Sequence, residues 1–367
     1  MRRQGYDGVV LAAPTSVPYA RYSTETAHWW IARALRAMLG KAGIAPGELD
    51  GFSVSSFSLA PDTPVGLTQH LGLSPRWLDT VPTGGASGVI ALRRAARAVQ
   101  AGDVDVVACV AGDANRIDSF RSLLSGFSRF SMDATFPYGF GGPNASFALL
   151  MDRYMQEFSA TREDFGHIAV SQRTNALNYP AALMKAPLTL AQYMDARMIS
   201  DPIALFDCVM PCAGVEAFLV MREDEALRRD LPFAQISGTI ERHNAYPEDP
   251  EGVDLLQTYD DYPVISMMQF EDLGFCAKGE GAAFARQRDL TINGDFPHNT
   301  SGGQLSVGQA GAAGGYLGLV EAIRQVTGQA DSTQVANARR ALVSGFGMIN
   351  YDRGVCSAAA IIEGGGE

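Results

Sequence analysis

The sequence predicts an α/β fold built from two related halves, and three observations support this. Strand-like and helix-like segments alternate along most of the 367 residues. The segment DVDVVACVAGD (103–113) is a continuous apolar run, which is typical of a strand buried on both faces. Glycine-rich turns precede a helix twice, at GGASG (84–88) and at GQAGAAGG (308–315). This repetition indicates a duplicated fold with pseudo-twofold symmetry.

The first half begins with a predicted strand over 6–11 and an amphipathic helix over 25–42. A second strand follows over 51–56. The helix predicted over 89–101 ends before Gly102, a residue type that favours the position after a helix. The buried strand over 103–113 comes next.

The region 119–202 has a different character from the rest of the first half. It is rich in Phe, Tyr, Met and Pro, with irregular punctuation such as FSMDATFPYGFGGPN. We interpret it as a cap inserted over the sheet, where it would shape a substrate pocket. GVEAFLVM (214–221) then returns to a core strand.

The second half repeats the pattern of the first. A glycine-rich turn leads into a predicted helix over 316–326, and two strands, over 339–349 and 355–364, close the chain. Both glycine turns would direct the free N–H groups of a helix start at one central site. Such a site favours an anion or a developing oxyanion.

Composition excludes several classes of function. The net charge of -11, with no run of Lys and Arg, argues against nucleic acid as a partner. No stretch of 18 apolar residues predicts a membrane span, and we expect a cytoplasmic protein. The five cysteines form neither a disulfide framework nor a metal site: Cys109, Cys208, Cys212, Cys276 and Cys356. No covalently bound cofactor is expected.

Three segments together resemble the thiolase superfamily. GGASGVIALRRAARAVQAGDVDVVACVAGD (84–113) resembles the nucleophile helix of thiolases and the strand after it. YDDYPVISMMQFEDLGFCAKGEGAAF (259–284) resembles the HDCF or NEAF segment, and NTSGGQLSVGQAGAAGG (299–315) resembles the segment that ends in GHP and GATG. The resemblance implies a thiolase fold, in which two βαβαβαββ halves form a five-layered αβαβα core. We place these halves at 1–235, including the cap, and 236–367.

The sequence departs from thiolases at the reactive positions. Gly85 stands where the nucleophilic cysteine is expected. Tyr259 and Gln309 replace the histidines of the HDCF and GHP segments, and Tyr351 falls near the position of the acid/base cysteine. Without a thiolate and its histidine partner, acyl transfer has no covalent intermediate.

The resemblance therefore implies chemistry on an acyl-CoA thioester without an acyl-enzyme. It is nearest to the cysteine-less aldolases of the lipid-transfer-protein type, which shorten steroid side chains by a retro-aldol reaction. Two alternatives stay open. The first is a divergent acetyl-CoA acyltransferase that uses Cys356 or another group, and the second is a non-catalytic subunit that binds acyl-CoA or lipid.

We expect Tyr259 and Gln309 to donate hydrogen bonds to the thioester oxygen. Tyr351 is our candidate for the proton shuttle and Asp260 for a base or an orienting group. Buried structural roles are the alternatives for Tyr259, Tyr351 and Asp260. Ser87 is interpreted as a helix-start residue that bonds a backbone N–H. The expected substrate-binding residues are Gly85, Ser87, Asp261, Tyr262, Gly308 and Cys356.

The resemblance also implies partners. Proteins with this fold form a homodimer, and members of this branch occur with a small protein that carries an OB-fold and a zinc ribbon. The sequence has no distinctive basic cluster for a CoA phosphate, which is consistent with help from such a partner in binding CoA.

Overall fold

The computed structural model describes residues 5–114, 133, 136–139, 142–243, 253–350 and 353–365. Its strands are β1 (Val9–Ala20), β2 (Gly51–Ser55), β3 (Trp77–Thr80), β4 (Val106–Ala114), β5 (Met198–Ser200), β6 (Ile203–Ala204), β7 (Ala213–Arg222), β8 (Phe233–His243), β9 (Leu255–Gln257), β10 (Arg340–Asn350) and β11 (Arg353–Gly364). Its helices are α1 (Ala27–Ala42), α2 (Pro64–Leu71), α3 (Ser87–Ala101), α4 (Pro143–Phe158), α5 (Arg162–Leu177), α6 (Leu190–Met194), α7 (Glu223–Arg228), α8 (Pro263–Asp272), α9 (Gly281–Gln287), α10 (Gly303–Val307) and α11 (Gly314–Val326). Predicted strands and helices of both halves are thus present.

Nine of the strands form one sheet, in the order β3-β2-β4-β7-β1-β8-β11-β10-β9. The first five belong to the N-terminal half of the chain and the last four to the C-terminal half. The halves are joined by antiparallel pairing of β1 with β8, where Val10 lies opposite Gln235 and Leu11 opposite Ala234. The order β4-β7-β1 in the first half corresponds to β10-β11-β8 in the second, which is the expected duplication.

Three hydrophobic clusters divide the molecule into five layers. In the central cluster, α3 and α11 pack against each other and against strands of both halves. A second cluster packs α1 on the outer face of the N-terminal strands. A third packs α4, α5, α8 and α9 on the outer face of the C-terminal strands. The two central helices are therefore enclosed by sheet on both sides.

The sequence of α3 explains its central position. Val89, Leu92, Ala96 and Val99 recur at helical spacing and are all buried. The helix ends at Gly102, whose φ of 81° is the left-handed conformation that glycine adopts at low cost. Because Leu92 is fully enclosed, truncating it to alanine would cost about 2–5 kcal/mol of stability.

The cap is more regular than the sequence analysis suggested. The part of region 119–202 that the structure describes contains the 16-residue helices α4 and α5. Pro143 is the first residue of α4, a position where its missing N–H leaves no hydrogen bond unmade. The prolines that were interpreted as loop punctuation thus include a helix start. Residues 119–132, 134–135 and 140–141 lie outside the described residues.

The predicted boundary between the halves, at residue 235, falls inside β8. We retain the division as a proposal, because β8 begins the strand set of the second half. No helix in the described part of the chain is both long enough and apolar enough to cross a membrane.

Candidate active site

The two glycine turns meet at the centre of the molecule. The first, Gly84–Ala86, leads into α3, and the second, Gly311–Ala313, leads into α11. A Cβ atom on Gly315 would lie 2.5 Å from the carbonyl oxygen of Gly84, and one on Gly88 would overlap the carbonyl of Gly315. Only glycine permits this approach, so the structure brings the two helix starts together as the sequence suggested.

A cavity of about 410 Å³ opens beside the turns. Gly84 and Gly85 line it from the first turn and Gly311 from the second. The rest of its wall is largely aromatic and aliphatic, with Asn144, Arg197, Asp261 and Gln309 among its polar members. The further lining residues are Phe57, Pro143, Asn144, Phe147, Arg197, Ile199, Leu205, Cys208, Val209, Pro211, Tyr259, Asp261, Tyr262, Gln309, Phe346, Met348 and Ile349. This composition suits a bulky apolar ligand with one reacting polar end.

Three side chains of the cavity wall, Tyr259, Asp261 and Gln309, form a hydrogen-bonded group. The Tyr259 hydroxyl donates to Asp261 Oδ2 at 2.7 Å, and Gln309 Nε2 donates to Asp261 Oδ1 at 3.2 Å. Backbone bonds fix Tyr259, because its N–H donates to Ser344 O at 3.1 Å and its carbonyl accepts from Gln269 Nε2 at 2.8 Å. Residues from two separate segments of the chain therefore hold one carboxylate in place.

Burial and neighbouring groups change the pKa values of the Asp261 carboxyl and the Tyr259 phenol. Removal from bulk water raises the pKa of the Asp261 carboxyl to about 6, although the hydrogen bonds from Tyr259 and Gln309 act in the opposite direction. Burial raises the pKa of the Tyr259 phenol well above its usual range, and the nearby Asp261 carboxylate raises it further. At neutral pH, Asp261 is ionised and Tyr259 keeps its proton.

Tyr259 also explains why position 85 carries no side chain. A Cβ atom on Gly85 would overlap ring carbons of Tyr259 and the carbonyl oxygen of Phe346. The aromatic ring takes the room that a cysteine side chain at position 85 would need. The packing around the turn therefore leaves no room for a nucleophilic side chain at position 85.

Asp260, the residue expected as a base, faces away from the cavity. Its carboxylate is 2% exposed and accepts from the N–H groups of Gln304, at 3.0 Å, and Leu305, at 3.3 Å. Burial raises the pKa of this carboxyl well above its usual range, and the two N–H groups oppose that rise. Asp260 thus anchors the start of α10, whereas its neighbour Asp261, expected to bind substrate, lines the cavity.

Three expected substrate-binding residues do not line the cavity. Ser87 is fully buried, and its Oγ donates to Val81 O at 2.9 Å and accepts from Thr83 N at 3.1 Å. This agrees with its interpretation as a helix-start residue. Gly308, with a φ of 118°, lies against Cys212 behind the wall.

The third of these residues, Cys356, is buried inside β11 opposite Gly347 of β10. Burial raises the pKa of its thiol to about 11, so the thiolate that would attack a thioester is scarce at neutral pH. This position argues against the acyl-enzyme alternative that used Cys356.

Tyr262 lines the cavity as expected, and it links the cap to the site. Its ring stacks on Phe147 of α4 with 4.2 Å between ring centroids, and its hydroxyl donates to Asn144 Oδ1. Tyr351 lies outside the described residues. Met348 and Ile349, which precede it by three and two positions, line the cavity.

The cap residues in the cavity wall and one buried carboxylate, Asp113, were not among the site residues predicted from the sequence. The signal for Asp113 was available, because it is the penultimate residue of the buried strand β4, and functional groups of α/β proteins commonly lie at the carboxyl ends of strands. Among the described residues, no group of three His, Cys, Asp or Glu side chains is arranged to hold a metal ion.

Comparison with known proteins agrees with this geometry. Residues 234–357 match the family described as Thiolase C-terminal domain-like. A steroid side-chain-cleaving aldolase of Thermomonospora curvata is 30% identical over 336 residues, which cover 80% of this chain and 84% of that protein. The 17-hydroxy-3-oxo-4-pregnene-20-carboxyl-CoA lyase of Mycobacterium tuberculosis is 27% identical, with coverages of 81% and 86%. An acetyl-CoA acetyltransferase of Methanothermobacter thermautotrophicus is 28% identical, with coverages of 83% and 87%.

Two solved structures share the fold. An Ltp2-ChsH2(DUF35) aldolase superposes with a TM-score of 0.80 at 25% identity, covering 97% of this chain and 98% of that one. A monomeric SCP2-thiolase-like protein of Mycobacterium smegmatis superposes with a TM-score of 0.72 at 14% identity, with coverages of 98% and 78%. The predicted thiolase fold is confirmed.

Proposed function

Because this chain belongs to the thiolase superfamily, together with the steroid side-chain-cleaving aldolases, we propose that it is a CoA-thioester aldolase. It breaks or forms the carbon–carbon bond beside the thioester carbonyl and makes no acyl-enzyme. One observation carries this function most directly. At the glycine turn, the ring of Tyr259 fills the room at Gly85, and the ionised Asp261 is hydrogen-bonded to Tyr259.

In the cleavage direction, the substrate is a β-hydroxyacyl-CoA. Asp261 takes the proton of the β-hydroxyl group, the Cα–Cβ bond breaks, and its electron pair moves into the thioester as an enolate. A ketone or an aldehyde leaves. A proton returned to Cα then gives acetyl-CoA, propionyl-CoA or a related acyl-CoA, and the atoms and charges balance.

The enolate oxygen needs hydrogen-bond donors that are already in place. Backbone N–H groups of the first glycine turn are the proposed donors. Gln309 Nε2 donates one hydrogen to Asp261, and an amide nitrogen has a second hydrogen, which we propose as a further donor to the enolate oxygen. Tyr351, which falls near the position of the acid/base cysteine in the resemblance to thiolases, is the proposed proton carrier for Cα.

The acyl group is bulky and hydrophobic, since aromatic and aliphatic side chains make up most of the cavity wall. The names of two relatives extend this to the side chain of a steroid carried as its CoA thioester. A cytoplasmic enzyme of steroid breakdown fits both the names and the chemistry.

We also propose the partners that the resemblance implied. One solved relative is an Ltp2-ChsH2(DUF35) aldolase, which supports a small partner protein for this chain as well. A homodimer is the proposed form of the core. CoA is substrate here, and the proposed reaction requires no other cofactor.

The test is to incubate the purified protein with a bulky β-hydroxyacyl-CoA. Mass spectrometry should detect the shortened acyl-CoA and the carbonyl product in equal amounts, with no change in the mass of the protein. Tyr351→Phe should lower kcat by about 10²–10⁴-fold while CoA binding is retained. A protein adduct that forms and decays during turnover would contradict the proposal.

Acetyl transfer remains the second candidate because an acetyl-CoA acetyltransferase is among the similar proteins. It predicts an acylated protein and exchange of free CoA into acetyl-CoA. The non-catalytic alternative predicts binding of the β-hydroxyacyl-CoA without either product.

A further inference from the structure

A fully buried carboxylate at the end of β4 ties together two parts of the cavity wall. Asp113 is 0% exposed. Its Oδ1 accepts from Ser56 Oγ at 2.8 Å, Phe57 N at 2.9 Å, Ser58 N at 2.6 Å and Ser58 Oγ at 2.5 Å. Its Oδ2 accepts from Ala312 N at 2.7 Å. One side chain thus receives five hydrogen bonds, from a loop of the first half and from the second glycine turn.

Both attached segments line the cavity. Phe57 belongs to the loop, and Gly311 belongs to the second turn. Gly311 has a φ of 53°, and a Cβ atom there would overlap the Asp113 carboxylate. The close approach of this carboxylate to the turn therefore requires glycine at position 311, and the spacing leaves little freedom for the turn to move.

The two glycine turns are held in different ways. The first packs against β10, where a Cβ atom on Gly345 would lie 2.7 Å from Ala86 Cα and one on Gly347 would overlap Thr83 O. These contacts are apolar or between backbone atoms, and α3 has no acidic residue in its first turn. The second turn is held by a carboxylate.

This difference has an electrostatic consequence. A helix start carries partial positive charge that stabilises a nearby anion. At the second turn, the Asp113 carboxylate already accepts from Ala312 N and offsets part of that charge. At the first turn, no carboxylate of the described residues accepts a hydrogen bond from a backbone N–H, and the N–H groups of Ala86 and Ser87 donate to backbone carbonyls.

We propose that Asp113 is a positioning residue for the aldolase reaction. It fixes the second turn against the Phe57 loop and reserves the first turn as the place where the thioester oxygen binds. This inference rests on the proposed function, and it adds a residue that contacts neither substrate nor reacting atoms. Asp113 acts through the backbone that it holds.

The experiment compares Asp113→Asn with Asp50→Asn in the full chain. Asp50 is a matched control at the opposite end of β4, where its carboxylate accepts from Asp105 N and Val106 N, both at 3.0 Å. In Asp113→Asn an amide nitrogen must face either Ala312 N or the loop N–H groups, so one set of hydrogen bonds is lost. Ser58→Ala removes only one of the five donors and serves as a milder variant.

We expect Asp113→Asn to lower kcat by up to about 100-fold with little change in KM, because the reacting groups are displaced while the binding surface remains. Ser58→Ala should give a smaller loss in the same direction. Asp50→Asn should lower the melting temperature without changing kcat measured well below that temperature. If Asp113→Asn fails to fold, Ser58→Ala carries the kinetic comparison.

A second measurement does not depend on turnover. An unreactive acyl-CoA bound to the wild-type protein should show a lowered carbonyl stretching frequency in the infrared spectrum, because the donors of the first turn polarise the bond. The frequency should rise in Asp113→Asn and stay unchanged in Asp50→Asn.

The inference is overturned if kcat falls in both aspartate variants in proportion to the fall in melting temperature. It is also overturned if Asp113→Asn leaves both kcat and the carbonyl frequency unchanged. A wild-type protein that shifts the carbonyl frequency but cleaves no β-hydroxyacyl-CoA would refute the aldolase function. The infrared comparison of the variants would still decide the role of Asp113.

Discussion

The ring of Tyr259 lies on the α-carbon of Gly85 so closely that no β-carbon fits between them. In the thiolase resemblance these are the positions of a catalytic histidine and of the nucleophilic cysteine. The two replacements are therefore sterically linked, because the Tyr259 ring occupies the space that a cysteine side chain at position 85 would need. The four predictions below follow from this arrangement and from the carboxylate beside it.

Gly85→Ala should destabilise the protein by about 1–3 kcal/mol, because the added methyl group overlaps Tyr259 and the Phe346 carbonyl. Activity should fall as well, since the ring must move away from Asp261. Chemical denaturation measures the first effect and product formation the second. Gly40→Ala in α1 is the control, because a Cβ there meets no atom within 4 Å. Unchanged stability of Gly85→Ala would show that the close contact is wrong.

Asp261→Asn should lower kcat by about 10²–10⁴-fold and leave the fold intact, because it removes the base but keeps the shape. Asp260→Asn should act differently. Its amide nitrogen must face one of the two backbone N–H groups, of Gln304 or of Leu305, and the lost hydrogen bond should cost about 1–3 kcal/mol of stability. The kinetic and stability losses should therefore separate between two adjacent residues. A larger kcat loss from Asp260→Asn, at equal folding, would restore Asp260 as the base.

The reaction should depend on pH through the ionisation of Asp261. The pKa of this group is about 6, and the base must be ionised, so kcat/KM should fall as pH drops below about 6 and level off above it. The acid limb should disappear in Asp261→Asn, whose residual rate has no base to titrate. A limb that persists in this variant would assign it to another group.

Cys356→Ala should leave kcat unchanged, because the thiol lies in β11 outside the cavity wall and its pKa is raised to about 11. Iodoacetamide should likewise leave the activity intact near neutral pH, because burial raises the pKa of Cys208, a cysteine of the cavity wall, to about 12. Loss of activity in Cys356→Ala, with the fold retained, would revive the acyltransferase alternative.

The sequence was sufficient for the fold because its signals are local. The helix of Val89 and Leu92 follows from their spacing, and Gly102 marks its end. The pairing of the two glycine turns followed from repetition of one pattern. Helix α4 was missed because Pro143 was interpreted as loop punctuation, although a proline at the first helical position leaves the helix intact.

The site was only partly predictable, for a geometric reason. Tyr259 and Gln309 were found from the motif positions that they occupy. The sequence could not show which of Asp260 and Asp261 faces the cavity. These adjacent residues lie in an irregular segment and point to opposite sides, and neither composition nor spacing tells which side is which. Asp113 required knowledge of what lies across the sheet, since the backbone that it holds at Ala312 is remote in the chain.

The pairing of β1 with β7 and β8 has a consequence for how the enzyme comes into being. Val9 lies opposite Arg222 and Val10 opposite Gln235, so β1 can complete its pairing with β7 only after residue 222 has left the ribosome, and with β8 only after residue 235. Contacts between such distant parts of a chain slow folding. During synthesis the early segments expose apolar strand edges, and we expect the nascent chain to depend on chaperones more than a protein with local contacts does.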